Sequence, residues 1–256
     1  MSSARTAIPS SEAIPPVNRF RLPQSARAGI PALALTAVLL GACSSGGTPS
    51  VAPSGTGTPV QNLAAHTLNL KSSDFPNSWK TTSSNSGANP VRSSLNACVL
   101  QSQASAPATA AVSDNFLQSS SGQEVGSQVQ VFDQSDQAVR TATVAATSAV
   151  SLCLGSSTRS AIAKVLPSQE TVQGTVASAV RPPQPGPHAF GQRVVATIAY
   201  KGQNGQPTTT DVYVDVLGFA RGTVVVEAEF ENARSAPSAS LESSTMKTLL
   251  NRAGAG

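Results

Sequence analysis

The most informative part of the sequence for the fold is residues 209–231, TTDVYVDVLGFARGTVVVEAEFE. Two runs alternate between polar and apolar residues, which is the pattern of a β-strand that buries one face. We predict an antiparallel hairpin in which Leu217 lies opposite Thr223 across a turn over residues 218–222. In that register one face is apolar and carries Val212, Val214, Val216, Val224, Val226, Ala228 and Phe230. The other face carries Asp211, Tyr213, Asp215, Glu227, Glu229 and Glu231.

The acidic face of this hairpin is a candidate binding surface, formed by Asp211, Tyr213, Asp215, Glu227 and Glu229. Carboxylates gathered on one side of a sheet can hold a cation or a basic partner. They are also ordinary on a solvated sheet face. The sequence leaves both interpretations open.

Further elements lie on both sides of the hairpin. We predict strands at residues 125–132, 171–180 and 193–200. We predict helices from the Asn89-Pro90 pair, from 133–135 to about Leu154 with Gly155 as the stop, and over 237–252. The order is helix, strand, helix, four strands, helix. It predicts an α+β domain with a twisted antiparallel sheet of about five to six strands and two to three helices packed on it.

The N-terminal region has the features of an export signal. Three arginines at positions 19, 21 and 27 precede the apolar run AGIPALALTAVLL of residues 28–40, which is too short for a permanent membrane span. The run ends in Leu40-Gly41-Ala42-Cys43, which is similar to the lipobox of bacterial lipoproteins. We therefore expect a lipoprotein signal peptide over 1–42, and a lipid on Cys43 that anchors the chain to the outer face of the cytoplasmic membrane.

The remaining sequence divides into a tether and a domain. Residues 43–65 are rich in Gly, Ser, Thr and Pro and predict a flexible tether, whereas residues 66–256 predict a single domain. The formal net charge of +4 falls to +1 once the residues before Cys43 are removed, because that segment holds four arginines and one glutamate. No basic cluster remains, so we expect no nucleic-acid partner.

Two further cysteines, Cys98 and Cys153, each lie on the apolar stripe of a predicted helix. In an oxidising compartment an even pair predicts a disulfide, with two buried thiols or a redox pair as the alternatives. His66 and His188 are distant from both cysteines in sequence and give no zinc-ligand spacing, so we expect no metal.

The only tryptophan, Trp79, follows a turn at Phe75-Pro76. It is either a core anchor for the start of the domain or a ring on which a ligand stacks.

The lipobox, the Asp74-Phe75-Pro76-x-x-Trp79 stretch, the two helix cysteines and the run GTVVVEAEF before a final helix together resemble one family. These are the actinobacterial exported sensor-like lipoproteins, akin to the extracellular domain of the PknH kinase and to LpqN-type lipoproteins. The resemblance implies a PsbP-like fold and a ligand-binding or sensor role. Domains of the PknH type carry two disulfides, whereas this chain can form one beside the lipidated cysteine.

Catalytic motifs are not found in the sequence. There is no G-x-S-x-G elbow, P-loop, G-x-G-x-x-G or H-E-x-x-H, and neither histidine has a catalytic neighbour in sequence. The prediction is a membrane-anchored, non-enzymatic binding or sensor-like module without a cofactor, whose ligand is an unidentified small molecule or protein. The alternatives are a carrier of lipids or other apolar molecules and a cell-envelope interaction protein.

Overall fold

The computed structural model describes residues 57–82, 89–102, 104–184, 186–202 and 205–254. The predicted signal peptide and the lipidation site at Cys43 lie outside the described residues. Within them the chain forms an eight-stranded antiparallel sheet and five α-helices. The predicted α+β class is confirmed, and the sheet is larger than the five to six strands predicted. No single helix among the described residues is long and apolar enough to cross a membrane, although one pair of helices, bent by 71° at its junction, reaches the length and composition.

The helices and strands follow one another along the chain. The helices are α1 (Pro59–Leu68), α2 (Pro90–Gln101), α3 (Ser135–Ala145), α4 (Ser148–Val165) and α5 (Ala239–Gly254). The strands are β1 (Trp79–Thr82), β2 (Thr109–Val112), β3 (Asn115–Gln118), β4 (Glu124–Val131), β5 (Thr171–Ala179), β6 (Phe190–Lys201), β7 (Pro207–Arg221) and β8 (Val224–Ala233). The sheet order is β1-β3-β4-β8-β7-β6-β5, and β2 pairs with β4 farther along the edge that β3 also uses.

Helix α1 corrects the predicted extent of the tether. The helix begins at Pro59, inside the segment that we expected to be flexible up to residue 65. Thr58 accepts a hydrogen bond from the backbone N–H of Gln61 at 3.3 Å, and the Gln61 side chain accepts one from the backbone N–H of Thr58 at 2.8 Å. This capping box, with proline at the first helical position, starts a helix within an otherwise linker-like composition.

The predicted register of the hairpin between β7 and β8 is wrong. Arg221 pairs with Val224 and Leu217 with Ala228, so Gly222 and Thr223 alone form the turn. Gly222 has a φ of +56°, a conformation that suits glycine in a two-residue hairpin turn. The alternation of β7 continues through Phe219 and Ala220, which we had placed in the turn. The observed pairing differs from the predicted one by an odd number of residues, so the two acidic runs lie on opposite faces of the sheet.

Each face of the sheet is covered by helices. The first face, which we call the disulfide face, carries Val212, Val214 and Val216 and is covered by α2, α3 and α4. The second, the α5 face, carries Leu217 and Phe219 and is covered by α1 and α5. The polypeptide therefore has two apolar cores that share one sheet.

The disulfide face contains the predicted bond between Cys98 of α2 and Cys153 of α4. The single helix that we predicted up to Leu154 is two helices, because the Thr147 side chain caps a new start by accepting from the backbone N–H of Val150 at 3.4 Å. Gly155 is inside α4 and does not end it. A Cβ at that position would lie 3.6 Å from the backbone nitrogen of Ala177, at ordinary contact distance, so α4 packs directly on β5 here.

Candidate functional site

The structure separates the residues of the predicted acidic surface. Asp211, Tyr213 and Asp215 lie on the α5 face, whereas Glu227 and Glu229 lie on the disulfide face. Asp215, Glu227 and Glu229 are 1%, 3% and 4% exposed. The expectation of one shared surface is therefore wrong, and the acidic side chains form two separate buried groups.

The group on the α5 face holds the last helix against β7. Asp215 accepts two hydrogen bonds from the guanidinium of Arg193, at 2.7 Å from Nε and 2.5 Å from Nη2. Glu242 of α5 lies beside this pair. Burial, together with hydrogen bonding to Asp215, raises the pKa of Glu242 to about 8. At neutral pH Glu242 is thus protonated and can donate to Asp215, so the group links α5 to β7, while the Arg193 side chain remains 30% exposed.

The group on the disulfide face lies beneath α2. Arg92 forms an ion pair with Glu229, with 3.3 Å between Nε and Oε2, and Gln130 donates to Glu227 at 3.4 Å. Burial raises the pKa of Glu227 and of Glu229 to about 7, and the positive charge of Arg92 opposes that rise. The adjoining crevice has a volume of only about 10 Å³, comparable to the space that one water molecule needs. Among the described residues no cluster of three or more His, Cys, Asp or Glu side chains could hold a metal ion.

A larger cleft lies on the α5 face, at the edge of the sheet that contains β1 and β3. Its volume is about 410 Å³, within the range of about 300–1,000 Å³ that small-molecule sites occupy. One wall is the segment after α1, the second is the end of β3 with the turn into β4, and the third is α5. The lining residues are Leu70, Asp74, Phe75, Pro76, Trp79, Gln118, Gln123, Ser238, Ser240, Leu241, Ser244, Thr245 and Thr248.

The aromatic wall of the cleft is a row of three rings. Phe116 is buried and stacks on Phe75, with 4.7 Å between ring centroids, and Phe75 packs against Trp79 at 4.9 Å. Phe75 and Trp79 are part-buried and line the cleft. Trp79 therefore packs on the core, as one of the two interpretations of the sequence predicts, and it also presents surface to the cleft.

The segment that carries the aromatic wall is fixed to α5 by charge. Asp74 accepts from the backbone N–H of Lys71 at 2.7 Å, which closes a short 3₁₀ turn over Ser72–Asp74. The Asp74 carboxylate also accepts from Arg252 of α5 at 2.7 Å, and Arg252 donates a second hydrogen bond to the backbone carbonyl of Asn69. Both interactions fix the position of the chain that leads to Trp79.

The opposite wall is a stripe of hydroxyl groups on α5. Ser240, Ser244 and Thr248 are four residues apart and so lie on one side of the helix. The Ser244 hydroxyl donates to the carbonyl of Leu241, and the Thr248 hydroxyl donates to the carbonyl of Ser244, each at 3.0 Å. Because their protons are used locally, these oxygens present lone pairs as acceptors.

Two glutamines complete the rim of the cleft. The Gln118 side-chain oxygen accepts from the Ser121 hydroxyl at 2.6 Å, so its NH₂ group remains as a donor. Gln123, which immediately precedes β4, also lines the cleft. Donors on this rim thus face acceptors on α5 across the aromatic row.

The sequence points to one wall of this cleft, the Asp74-Phe75-Pro76-x-x-Trp79 stretch, and to Trp79 as a candidate ring for a ligand. It does not point to the facing polar positions of the last helix. The available signal was the spacing of hydroxyl residues at 240, 244 and 248. His66 and His188, the histidines considered for catalysis, are exposed and do not line the cleft.

Comparison of the chain with protein-family models and with curated proteins finds no match.

Proposed function

We propose that this chain is a lipoprotein, anchored through Cys43 to the outer face of the cytoplasmic membrane, whose domain binds a ligand without transforming it. The observation that carries the proposal is the 410 Å³ cleft beside Trp79. The resemblance to PsbP-like sensor-type lipoproteins, through the lipobox and the Asp74–Trp79 stretch, supports the same role.

The lining of the cleft favours binding over catalysis. The described part of the lining contains neither histidine nor cysteine, and its one carboxylate, that of Asp74, is held by Arg252. Hydroxyl groups that donate to helix carbonyls have no neighbouring base to activate them as nucleophiles. The cleft can therefore orient a ligand but offers no proton-transfer group of its own.

The cleft gives less support to a carrier of apolar molecules. Eight of the thirteen described residues that line it are polar, whereas a lipid-sized chain requires an apolar enclosure. Helix α1 connects the tether to the cleft, since its first turn follows residue 58 and the cleft residues begin at Leu70. Ten helical residues span about 15 Å, which is about the distance along α1 between Thr58 and the segment that leads to Leu70.

The anchor is tested by intact mass spectrometry of membrane-extracted protein and of a Cys43→Ser variant. We expect the wild type to begin at an acylated Cys43 and to fractionate with membranes, and the variant to lack the lipid and to leave the membrane. A wild-type mass without lipid would contradict the anchor.

The binding role is tested separately by hydrogen–deuterium exchange. Envelope extract is added to the purified lipoprotein, and exchange is followed in residues 70–79 and 238–248, which form facing walls of the cleft. We expect an extract fraction to slow exchange in both segments together. If no fraction protects either segment, the binding proposal fails.

A further inference from the structure

The charge of the cleft restricts the kind of ligand that fits it. Among the described residues that line the cleft, Asp74 is the only charged one, and Arg252 already neutralises its carboxylate with 2.7 Å between Nη2 and Oδ1. A phosphate or carboxylate ligand would find no cationic partner here. A cationic ligand would compete with Arg252 for one carboxylate. The site accordingly fits an uncharged ligand.

The cleft is lined by several hydrogen-bonding groups, with acceptors on one wall and a donor on the other. On α5 the oxygens of Ser244 and Thr248 accept, and the paired hydroxyls of Ser238 and Ser240 lie 2.8 Å apart. Across the cleft the Gln118 amide donates, because its oxygen is already used by Ser121. A ligand that satisfies both walls needs donors toward α5 and an acceptor toward Gln118, and a polyhydroxylated molecule supplies both because each hydroxyl can donate and accept.

The aromatic row supplies the complementary apolar surface. Phe75 covers part of Trp79 at 4.9 Å, and both rings still line the cleft. A pyranose ring has C–H groups on its faces and hydroxyl groups around its rim. The C–H face fits the electron-rich face of an aromatic ring, and the rim reaches polar groups to the side.

We infer that the cleft binds a neutral carbohydrate, with a sugar ring against Trp79 and Phe75 and its hydroxyls on the Ser240–Ser244–Thr248 stripe and Gln118. This inference rests on the proposed binding function and names its ligand class. A volume of about 410 Å³ lies near the lower end of the small-molecule range, which suits a mono- or disaccharide unit of a longer glycan.

The single tryptophan makes the test direct, because all indole fluorescence comes from Trp79. The full lipoprotein is placed in phosphatidylcholine nanodiscs, prepared without glycosidic detergents, and titrated with maltose, cellobiose and diacetylchitobiose. We expect at least one of these to change the emission of Trp79 saturably, with a Kd in the range of about 0.1 to 10 mM. Glucose 6-phosphate is the charged control and should bind more weakly than the best neutral sugar.

A matched pair of variants shows where the sugar binds while keeping the fluorescent reporter. Ser244→Ala removes one acceptor from the stripe and should weaken sugar binding about two- to tenfold, as expected for one hydrogen bond. Ser160→Ala is the control, because Ser160 is also an exposed helix hydroxyl that donates to a carbonyl of its own helix, on the other face of the sheet. Serine to alanine on an exposed helix position favours folding, so weaker binding by Ser244→Ala reports the lost contact.

Other outcomes separate the carbohydrate inference from the binding proposal. A saturable response to benzamide or to oleic acid, with none to any sugar, would contradict the carbohydrate inference and leave the proposed binding function standing. The same conclusion follows if glucose 6-phosphate binds most tightly. If no probe at concentrations up to about 10 mM changes the fluorescence emission of Trp79, the carbohydrate inference is contradicted. Exchange protection by envelope extract then decides whether the binding proposal also fails.

Discussion

Replacing Arg92 by methionine should make the stability of the domain much more sensitive to pH. Arg92 lies in the first turn of α2 with its side chain 12% exposed, 3.3 Å from Glu229, and its charge lowers the pKa of both Glu227 and Glu229. The two carboxyls nevertheless have pKa values of about 7, because burial outweighs that attraction. Methionine keeps an apolar stem of similar length and removes only the charge.

The direction in which stability changes with pH follows from the number of protons that the folded and unfolded states bind. In the unfolded chain both carboxyls titrate near 4.5, whereas in the folded wild type they titrate near 7. The folded state therefore binds more protons in this window, and its stability is fully present below pH 4.5 and falls as pH rises toward 7. Without Arg92 the folded pKa values rise further, so the loss of stability continues to a higher pH.

The magnitude can be worked from the number of carboxyls. One pKa unit corresponds to about 1.4 kcal/mol, but a carboxyl whose pKa rises by about one unit from about 7 is only half ionised at pH 8. Each of the two carboxyls therefore adds about 1 kcal/mol, or roughly 2 kcal/mol together, to the loss between pH 5 and pH 8. At pH 5 both carboxyls are protonated with or without Arg92, and there the substitution should cost about 1 kcal/mol or less, mostly for altered packing.

The assay is urea unfolding of the oxidised protein at pH 5 and at pH 8, with Arg140→Met as the control. Arg140 is an exposed arginine of α3, so its replacement should change stability equally little at both pH values. If Arg92→Met destabilises by the same amount at pH 5 and pH 8, the carboxyls do not titrate in this window, and the reasoning about the buried group is refuted.

Three further predictions test other parts of the structure. The wild type should lose stability as pH rises to about 8, because Glu242 must then ionise while buried. Glu242→Gln replaces the protonated carboxyl by an amide that does not titrate, so the fall in Tm with pH should become smaller. An unchanged profile of Tm against pH would argue against a protonated Glu242. Reducing the bond between Cys98 and Cys153, which are 55 residues apart, should lower the free energy of unfolding by about 4 kcal/mol in denaturant titrations, and a loss below about 1 kcal/mol would contradict its role. Gly218→Ala should lower Tm strongly, because the new Cβ would lie 2.4 Å from the Phe190 ring, and a tolerated substitution would show that this ring can move.

Local signals in the sequence were sufficient for several elements. The Asn89-Pro90 pair predicted the start of α2, and the Asn89 side chain accepts from the backbone N–H of Val91 at 2.9 Å. Capping depends on a few neighbouring residues, so it can be read without the rest of the fold. The apolar stripes that carry Cys98 and Cys153 predicted that each cysteine lies on the inner side of its helix, and the structure joins the two in a disulfide.

The hairpin register depends on tertiary contacts and could not be read locally. Alternation continues through Phe219 and Ala220, so an earlier and a later turn both satisfy the pattern. The later turn is favoured because it buries Phe219 in the core beneath α5. It also places Glu227 and Glu229 under α2, where Arg92 can meet them, although carboxylates in a strand usually indicate an exposed face.

The cleft was missed because its walls are far apart in sequence. Residues near 70–79, 118–123 and 238–248 meet only after α5 packs on the sheet. Asp74 and Arg252, which hold two of these walls together, are 178 residues apart. A hydroxyl stripe on an amphipathic helix is also compatible with ordinary solvent exposure. It can be assigned to a binding cleft only when the aromatic wall that faces it is known.

The most direct test of the central claim is photo-crosslinking in living cells. A photoreactive amino acid replaces Ser240, at the mouth of the cleft, or Arg140 on the opposite face of the sheet as the control, and the adducts are analysed by mass spectrometry. We predict that an envelope molecule attaches at position 240 and not at position 140, in protein that fractionates with the membrane. Equal labelling at both positions, or labelling at neither, would contradict the assignment of the cleft beside Trp79 as the ligand-binding site.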